Sequence, residues 1–145
     1  MAMNIEEIQS QWEKDSKLDP DNLHLESLKI PGLHSKYYNI YNNTKLLREK
    51  SRFDYSEIKL QRYNYYTGKA PAEIYIEEPF PYKVRDKEAL KQYLEADKKL
   101  SQIDLKIKYY DTMLSFLEEI IKNLNGRTYQ IKNAIEWQKF QAGFS

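Results

Sequence analysis

The side chains that most often do chemistry are sparse or badly spaced in this sequence. His24 and His34 stand ten residues apart, without the i, i+4 spacing and intervening glutamate of a zinc-protease helix. Glu77-Glu78 and Glu118-Glu119 are adjacent pairs, and on a helix neighbours point about 100° apart, which is poor geometry for a shared acid and base. The four glycines, at 32, 68, 126 and 143, are too scattered to cradle a phosphate. With no cysteine, disulfides, thiolate metal sites and cysteine nucleophiles are all excluded, which fits a reducing cytosol. No nucleophile is paired with a base. The expectation is a protein without catalysis, metal or cofactor.

Binding chemistry is better supported. Positions 41, 45, 48, 52, 55, 59, 62 and 66 advance by three or four and so share one helical face. They read Tyr41, Lys45, Arg48, Arg52, Tyr55, Lys59, Arg62 and Tyr66: cations and rings with no carboxylate, although Glu49, Asp54 and Glu57 lie on the same helix. A single strand of nucleic acid asks for this combination. Cations track its phosphates and release counterions, and rings stack on its bases at about 1–3 kcal/mol each. Nothing resembles a zinc finger, a helix-turn-helix or a basic zipper, so duplex readout has little support. The alternative is a helical structural adaptor in which the cations are merely solvated and the tyrosines line a subunit interface.

The elements that must position this face are helical. Asn4 can cap a short helix over 4–16 with Ile5, Ile8 and Trp12 on one stripe. Asp19-Pro20-Asp21 and Pro31-Gly32 punctuate the next stretch, and a long basic and aromatic helix is expected over 33–67. Thr67-Gly68 should end it, and Pro71, Pro79 and Pro81 keep 68–86 a loop in which Ile74-Tyr75-Ile76 could be extended. Over 87–124, Tyr93, Leu100, Ile107, Leu114 and Ile121 alternate with Ala96, Ile103, Tyr110, Leu117 and Leu124 as a heptad seam. Asn125-Gly126 should close that helix, and Thr128 should cap a last one over 128–142. The expectation is one all-α domain: a long antiparallel helical hairpin with short terminal helices.

A second apolar stripe, Leu105, Tyr109, Met113, Phe116 and Ile120, exceeds what one hairpin partner can cover. The last helix adds Ile131, Ile135, Trp137, Phe140 and, beyond it, Phe144. Contiguous apolar surface of this kind rarely stays exposed on a monomer, so a homo-oligomer built through the C-terminal third is expected. No apolar run approaches the roughly 18–20 residues of a membrane span, and the start lacks the order of a secretory signal. The protein is expected to stay in the compartment where it is made.

Three segments together resemble the UvsY recombination mediators of tailed phages. They are Arg62-Tyr63-Asn64-Tyr65-Tyr66-Thr67-Gly68, then Glu95-Ala96-Asp97-Lys98 opening a helix, and Phe140-Gln141-Ala142-Gly143. The fit is tightest from Leu94 to Gly143. The resemblance implies a ring-shaped homo-oligomer, hexamer or heptamer, of helical hairpins. Such a ring would bind single-stranded DNA, loosen the phage single-strand-binding protein and load a RecA-like recombinase in the cytoplasm of an infected bacterium. It implies no cofactor. The family's DNA-contacting Lys-x-Arg pair carries over to Arg62, while Leu60 stands where the lysine would be; helical geometry favours Lys59 as the partner cation.

Overall fold

The computed structural model describes residues 3–143. Every regular element among them is an α-helix: α1 (Ile5–Asp15), α2 (Leu23–Tyr66), α3 (Ala72–Glu77), α4 (Lys87–Glu95) and α5 (Lys98–Gln141). The all-α expectation holds. Where composition points to a single domain, the chain divides at Lys45/Leu46 and again at Asp111/Thr112 into two compact units, each with its own stretch of α2 and of α5.

In the unit that contains both ends of the chain, α1 starts where Asn4 Oδ1 accepts a hydrogen bond from the Glu7 amide at 2.8 Å. Ile8 is fully buried, and Trp12 meets Tyr37 of α2 edge-on at 5.5 Å. Tyr37 donates to Asp15 Oδ2, and Lys36 pairs with the same oxygen, both at 2.7 Å. Arg127 of α5, 1 % exposed, reaches the carbonyls of Asp15 and Ser16 at 3.1 and 3.4 Å and lies over the Trp12 ring. It thereby satisfies oxygens that a helix C-terminus leaves unpaired. Its Nε and Nη1 are buried without a hydrogen-bond partner, and burial pulls the guanidinium below its ordinary value against Glu26 and Asp15.

Part of the apolar surplus on α5 is buried within the chain itself. Met113, Ile120 and Ile131, expected at a subunit interface, are 1 %, 1 % and 3 % exposed and belong to the core with Leu117 and Leu124. In the same unit α1 contributes the fully buried Ile8. Phe116 and Ile135 are half-buried, and Leu105 (66 %), Tyr109 (39 %), Trp137 (59 %) and Phe140 (70 %) remain substantially exposed. Phe144 lies outside the described residues.

In the other unit α2 and α5 run antiparallel. Arg48 faces Asp111 and Arg62 faces Asp97, so fourteen residues forward on α2 match fourteen back on α5, which is two heptads. The proline-rich segment folds back over the end of α2. Gly68 has a left-handed φ of +81°, and a β-carbon there would sit 2.9 Å from the Lys83 side chain. The Val84 amide then donates to the Tyr66 carbonyl at 2.9 Å. Ile74-Tyr75-Ile76 is helical rather than extended: α3 exposes Ile74 and Ile76, while the Tyr75 hydroxyl donates to the Tyr65 carbonyl at 2.9 Å.

Three boundaries differ from the sequence reading. Helix α2 begins at Leu23 and carries Pro31 inside it, although an internal proline costs about 3 kcal/mol; the burial of Leu23 and Tyr37 on either side offsets it. The expected 87–124 helix is interrupted instead at Ala96-Asp97, where Asp97 Oδ1 accepts from the Leu100 amide at 3.0 Å and so starts α5 as an N-cap. Finally, α5 passes straight through Asn125-Gly126 to Gln141, because Leu124, Arg127 and Ile131 bury one continuous face.

Two substitutions test this packing. A methyl group on Gly126 meets nothing within 4 Å, so Gly126→Ala should stabilise the chain by about 0.5–1 kcal/mol in urea unfolding. Arg127→Ala should cost about 2–3 kcal/mol and strip amide-exchange protection from α1 first; protection of α1 at the wild-type level would contradict its tethering through Arg127.

Candidate nucleic-acid interface

The basic and aromatic face of α2 divides by position. Residues 41, 48, 55 and 62 follow one another at intervals of seven, as do Glu118, Asp111, Asp104 and Asp97 read backwards along α5. Within the first unit, the Tyr41 hydroxyl donates to Glu118 Oε1 at 3.2 Å. Within the second, Arg48 Nε lies 2.8 Å from Asp111 in ion-pair contact but without hydrogen-bond alignment, and Arg62 Nε meets Asp97 Oδ2 at 2.6 Å. These members of the face are turned to α5. By contrast Lys45, Arg52 and Lys59 are exposed, with Arg52 in a loose 3.6 Å pair with Glu49, and Lys45 belongs to the first unit.

Arg62 and Tyr66 are therefore not surface groups. Arg62 is 7 % exposed and Tyr66 8 %. Besides Asp97, the guanidinium donates to Glu78 Oε2 at 2.8 Å and lies 4.2 Å from the Tyr65 ring centre. The Tyr66 hydroxyl donates to Asp97 Oδ2 at 2.6 Å, and the Tyr65 hydroxyl to the Glu78 carbonyl at 2.8 Å. Around them Tyr75 and Phe80 pack on Tyr65, each at 5.4 Å, and Tyr93 on Tyr66 at 5.3 Å. Arg62, expected from the sequence to contact phosphate, is buried in this structure and paired with two carboxylates. Phe80, Tyr75 and Glu78 come from the segment read as a bare loop. Its aromatic content was the available signal.

Electrostatics follow from the geometry. Burial pushes the Asp97 carboxyl up, but Tyr66, the Leu100 amide and Arg62 together hold it below its ordinary value. Arg62 itself holds Glu78 below the usual range, and burial pushes the Tyr65 hydroxyl up to about 12. The depressed carboxylates contribute stability that is fully present above their unfolded values and lost as pH falls through the folded ones.

Tyr55 and Lys59 line a second feature, a groove of about 510 Å³ between α2 and α4 whose other residues include Tyr63, Lys87, Lys91 and Glu95. The sequence reading missed Tyr63, Lys87 and Lys91. By periodicity alone the two lysines belong to one continuous seam helix, and only the break at Asp97 makes α4 a separate wall. No cluster of potential metal ligands occurs among the described residues.

Removing Arg62 leaves Asp97 buried without its cation, so Arg62→Ala should cost about 3–5 kcal/mol near neutral pH. The difference from wild type should shrink towards acid, as Asp97 protonates. Urea midpoints measured from pH 7 down to pH 3 check this, and a pH-independent difference would contradict the pairing.

The comparisons with known proteins agree with this architecture. Residues 11–144 match the family described as recombination, repair and ssDNA binding protein UvsY. The recombination protein uvsY of Enterobacteria phage T4 is 25 % identical over 144 residues, covering 97 % of this chain and 99 % of that protein. Two crystal forms of the bacteriophage T4 recombination mediator protein UvsY, each 22 % identical, give TM-scores of 0.79 and 0.82. They cover 96 % and 97 % of this chain and 99 % and 98 % of theirs. With nearly its whole length matched and the same helical architecture, the chain belongs to the UvsY family of recombination, repair and single-stranded-DNA-binding proteins.

Proposed function

We propose that the chain works as a homo-oligomer that holds single-stranded DNA and promotes loading of a RecA-like recombinase in place of the single-strand-binding protein. It does so in the cytoplasm of an infected bacterium and without catalysis or cofactor. The observation that carries this reading is the family match over residues 11–144. The exposed cations Arg52 and Lys59 on α2 support it, since they remain available to phosphates where Arg48 and Arg62 are turned inward. No described helix is long and apolar enough to cross a membrane.

Oligomerisation supplies what a single chain lacks. Two exposed cations make a weak contact, but copies linked in one assembly meet the same strand at high effective concentration. The stacked pair Trp137–Phe140, with ring centres 5.7 Å apart and both rings exposed, supports a subunit contact at the end of α5. Met113, Ile120 and Ile131 drop out of that contact because the chain's own core covers them.

Fluorescence anisotropy of a labelled single strand, at low and high salt and with mass determined on the same sample, tests the reading. An oligomer whose binding weakens steeply with salt is expected. An oligomer that ignores DNA would make the protein a structural adaptor instead. Trp137→Ser with Phe140→Ser should lower the mass and weaken strand binding by about 10²-fold or more through lost avidity; unchanged mass would remove this contact.

A further inference from the structure

Two rows of side chains line the groove between α2 and α4. Along α2 they are Tyr55, Lys59 and Tyr63, each four residues after the last, and along α4 they are Lys87, Lys91 and Glu95, again four apart. Leu90 and Leu94 complete the lining. We propose that this groove is the strand-binding site of each subunit, and that it takes one unstacked nucleotide with its flanking phosphates. The inference rests on the single-strand-binding reading and assigns it to a place. Lys59, Lys87 and Lys91 hold the phosphates, and the Tyr55 and Tyr63 rings hold the base.

Three observations carry this. First, Arg48 and Arg62 are ion-paired with Asp111 and Asp97 and Arg52 makes a loose, exposed pair with Glu49, whereas Lys59, Lys87 and Lys91 have no ion pair among the described residues. Their charge is open to an external anion. Second, Lys87 opens α4 and Glu95 closes it. Asp86 caps α4 and Glu88 complements its dipole in the first turn, so Lys87 is not needed by the helix, and its side chain, like that of Lys91, is exposed to solvent. Third, the groove combines two rings with three cations at a volume of about 510 Å³, room for a nucleotide. A duplex keeps its bases stacked inside and presents none to such a groove, whereas a single strand can turn one out. An acidic peptide would satisfy the lysines but leave the rings without a flat partner.

Glu95 then has a definite effect. Its carboxylate repels phosphate at one end of the α4 row, so neutralising it should tighten binding, opposite in sign to loss of the lysines.

The test uses the full chain as its natural assembly. Salt-dependent anisotropy compares wild type with the double variant Lys87→Ala/Lys91→Ala, with Glu95→Gln, and with Lys106→Ala as a charge control on exposed α5 surface. A strand containing 5-iododeoxyuridine is cross-linked in parallel and the attached residues are mapped by mass spectrometry. The double variant should flatten the plot of log affinity against log salt by about 1.4 for each engaged subunit, at about 0.7 per lost phosphate contact. Glu95→Gln should raise affinity, and Tyr55 or Tyr63 should carry the cross-link. If wild type binds the strand but the double variant behaves like Lys106→Ala and the cross-links fall elsewhere, the groove is wrong while the single-strand reading stands. If wild type binds no strand at either salt, both fall. Binding of a poly-glutamate peptide in the groove with the strand excluded would overturn the proposal in favour of an acidic partner.

Discussion

The pair between Arg62 and Asp97 is the interaction on which the second unit depends. One carboxylate does two things at once: Oδ1 accepts the Leu100 amide and so starts α5, while Oδ2 receives Arg62 and Tyr66 from α2. The start of one long helix is thereby pinned to the end of the other. Glu78 joins from the segment between them, and the rings of Tyr65, Tyr66, Phe80 and Tyr93 close around the charges. A buried ion pair of this kind gains little net stability against well-packed apolar side chains, but it is costly to break from one side. Its contribution is best understood as placement. It sets where α5 begins, and therefore where α4 must end.

Register follows from the same chemistry. The acidic residues on α5 at 97, 104, 111 and 118 recur every seven, as do Arg62, Tyr55, Arg48 and Tyr41 on α2. Three of the four cross-helix partners are in contact, each within its own unit. Sliding one helix by a turn would bring Asp97 away from Arg62 and leave both buried and unpaired, a far larger loss than the apolar positions alone would impose. Polar seam positions specify alignment at some cost in stability, as single buried polar residues do in coiled coils.

That seam also explains what could and could not be read from the sequence. The helical class, the apolar heptads of α5 and the aromatic-basic character of α2 were all legible, because each is a periodicity or a composition. The direction of α2's face was not. Positions 41, 48, 55 and 62 look like a nucleic-acid stripe when α2 is considered alone; that 41, 48 and 62 face α5 emerges only when the acidic sevens of that helix are set against them. The helix boundaries failed for a related reason. Pro31 and Gly126 are local breakers overruled by continuous burial, and Asp97 is an ordinary-looking residue whose capping role requires its tertiary partners. The same break released α4 and its lysines, which the heptad reading had absorbed.

The cations of α2 thus divide their labour by heptad position. Those facing α5 fix alignment, whereas Arg52 and Lys59 face outward. This division changes how a substitution at Arg62 must be interpreted. The residue is 7 % exposed and holds α2 against Asp97 and Glu78, next to Tyr63 and three residues from Lys59. Weakened DNA binding on its removal would follow from displacement of those neighbours as readily as from a lost phosphate contact. A contact residue weakens binding without unfolding the chain, whereas a positioning residue does so in proportion to lost stability. The two roles separate only when strand affinity and unfolding free energy are measured on the same variants, and burial argues for the second.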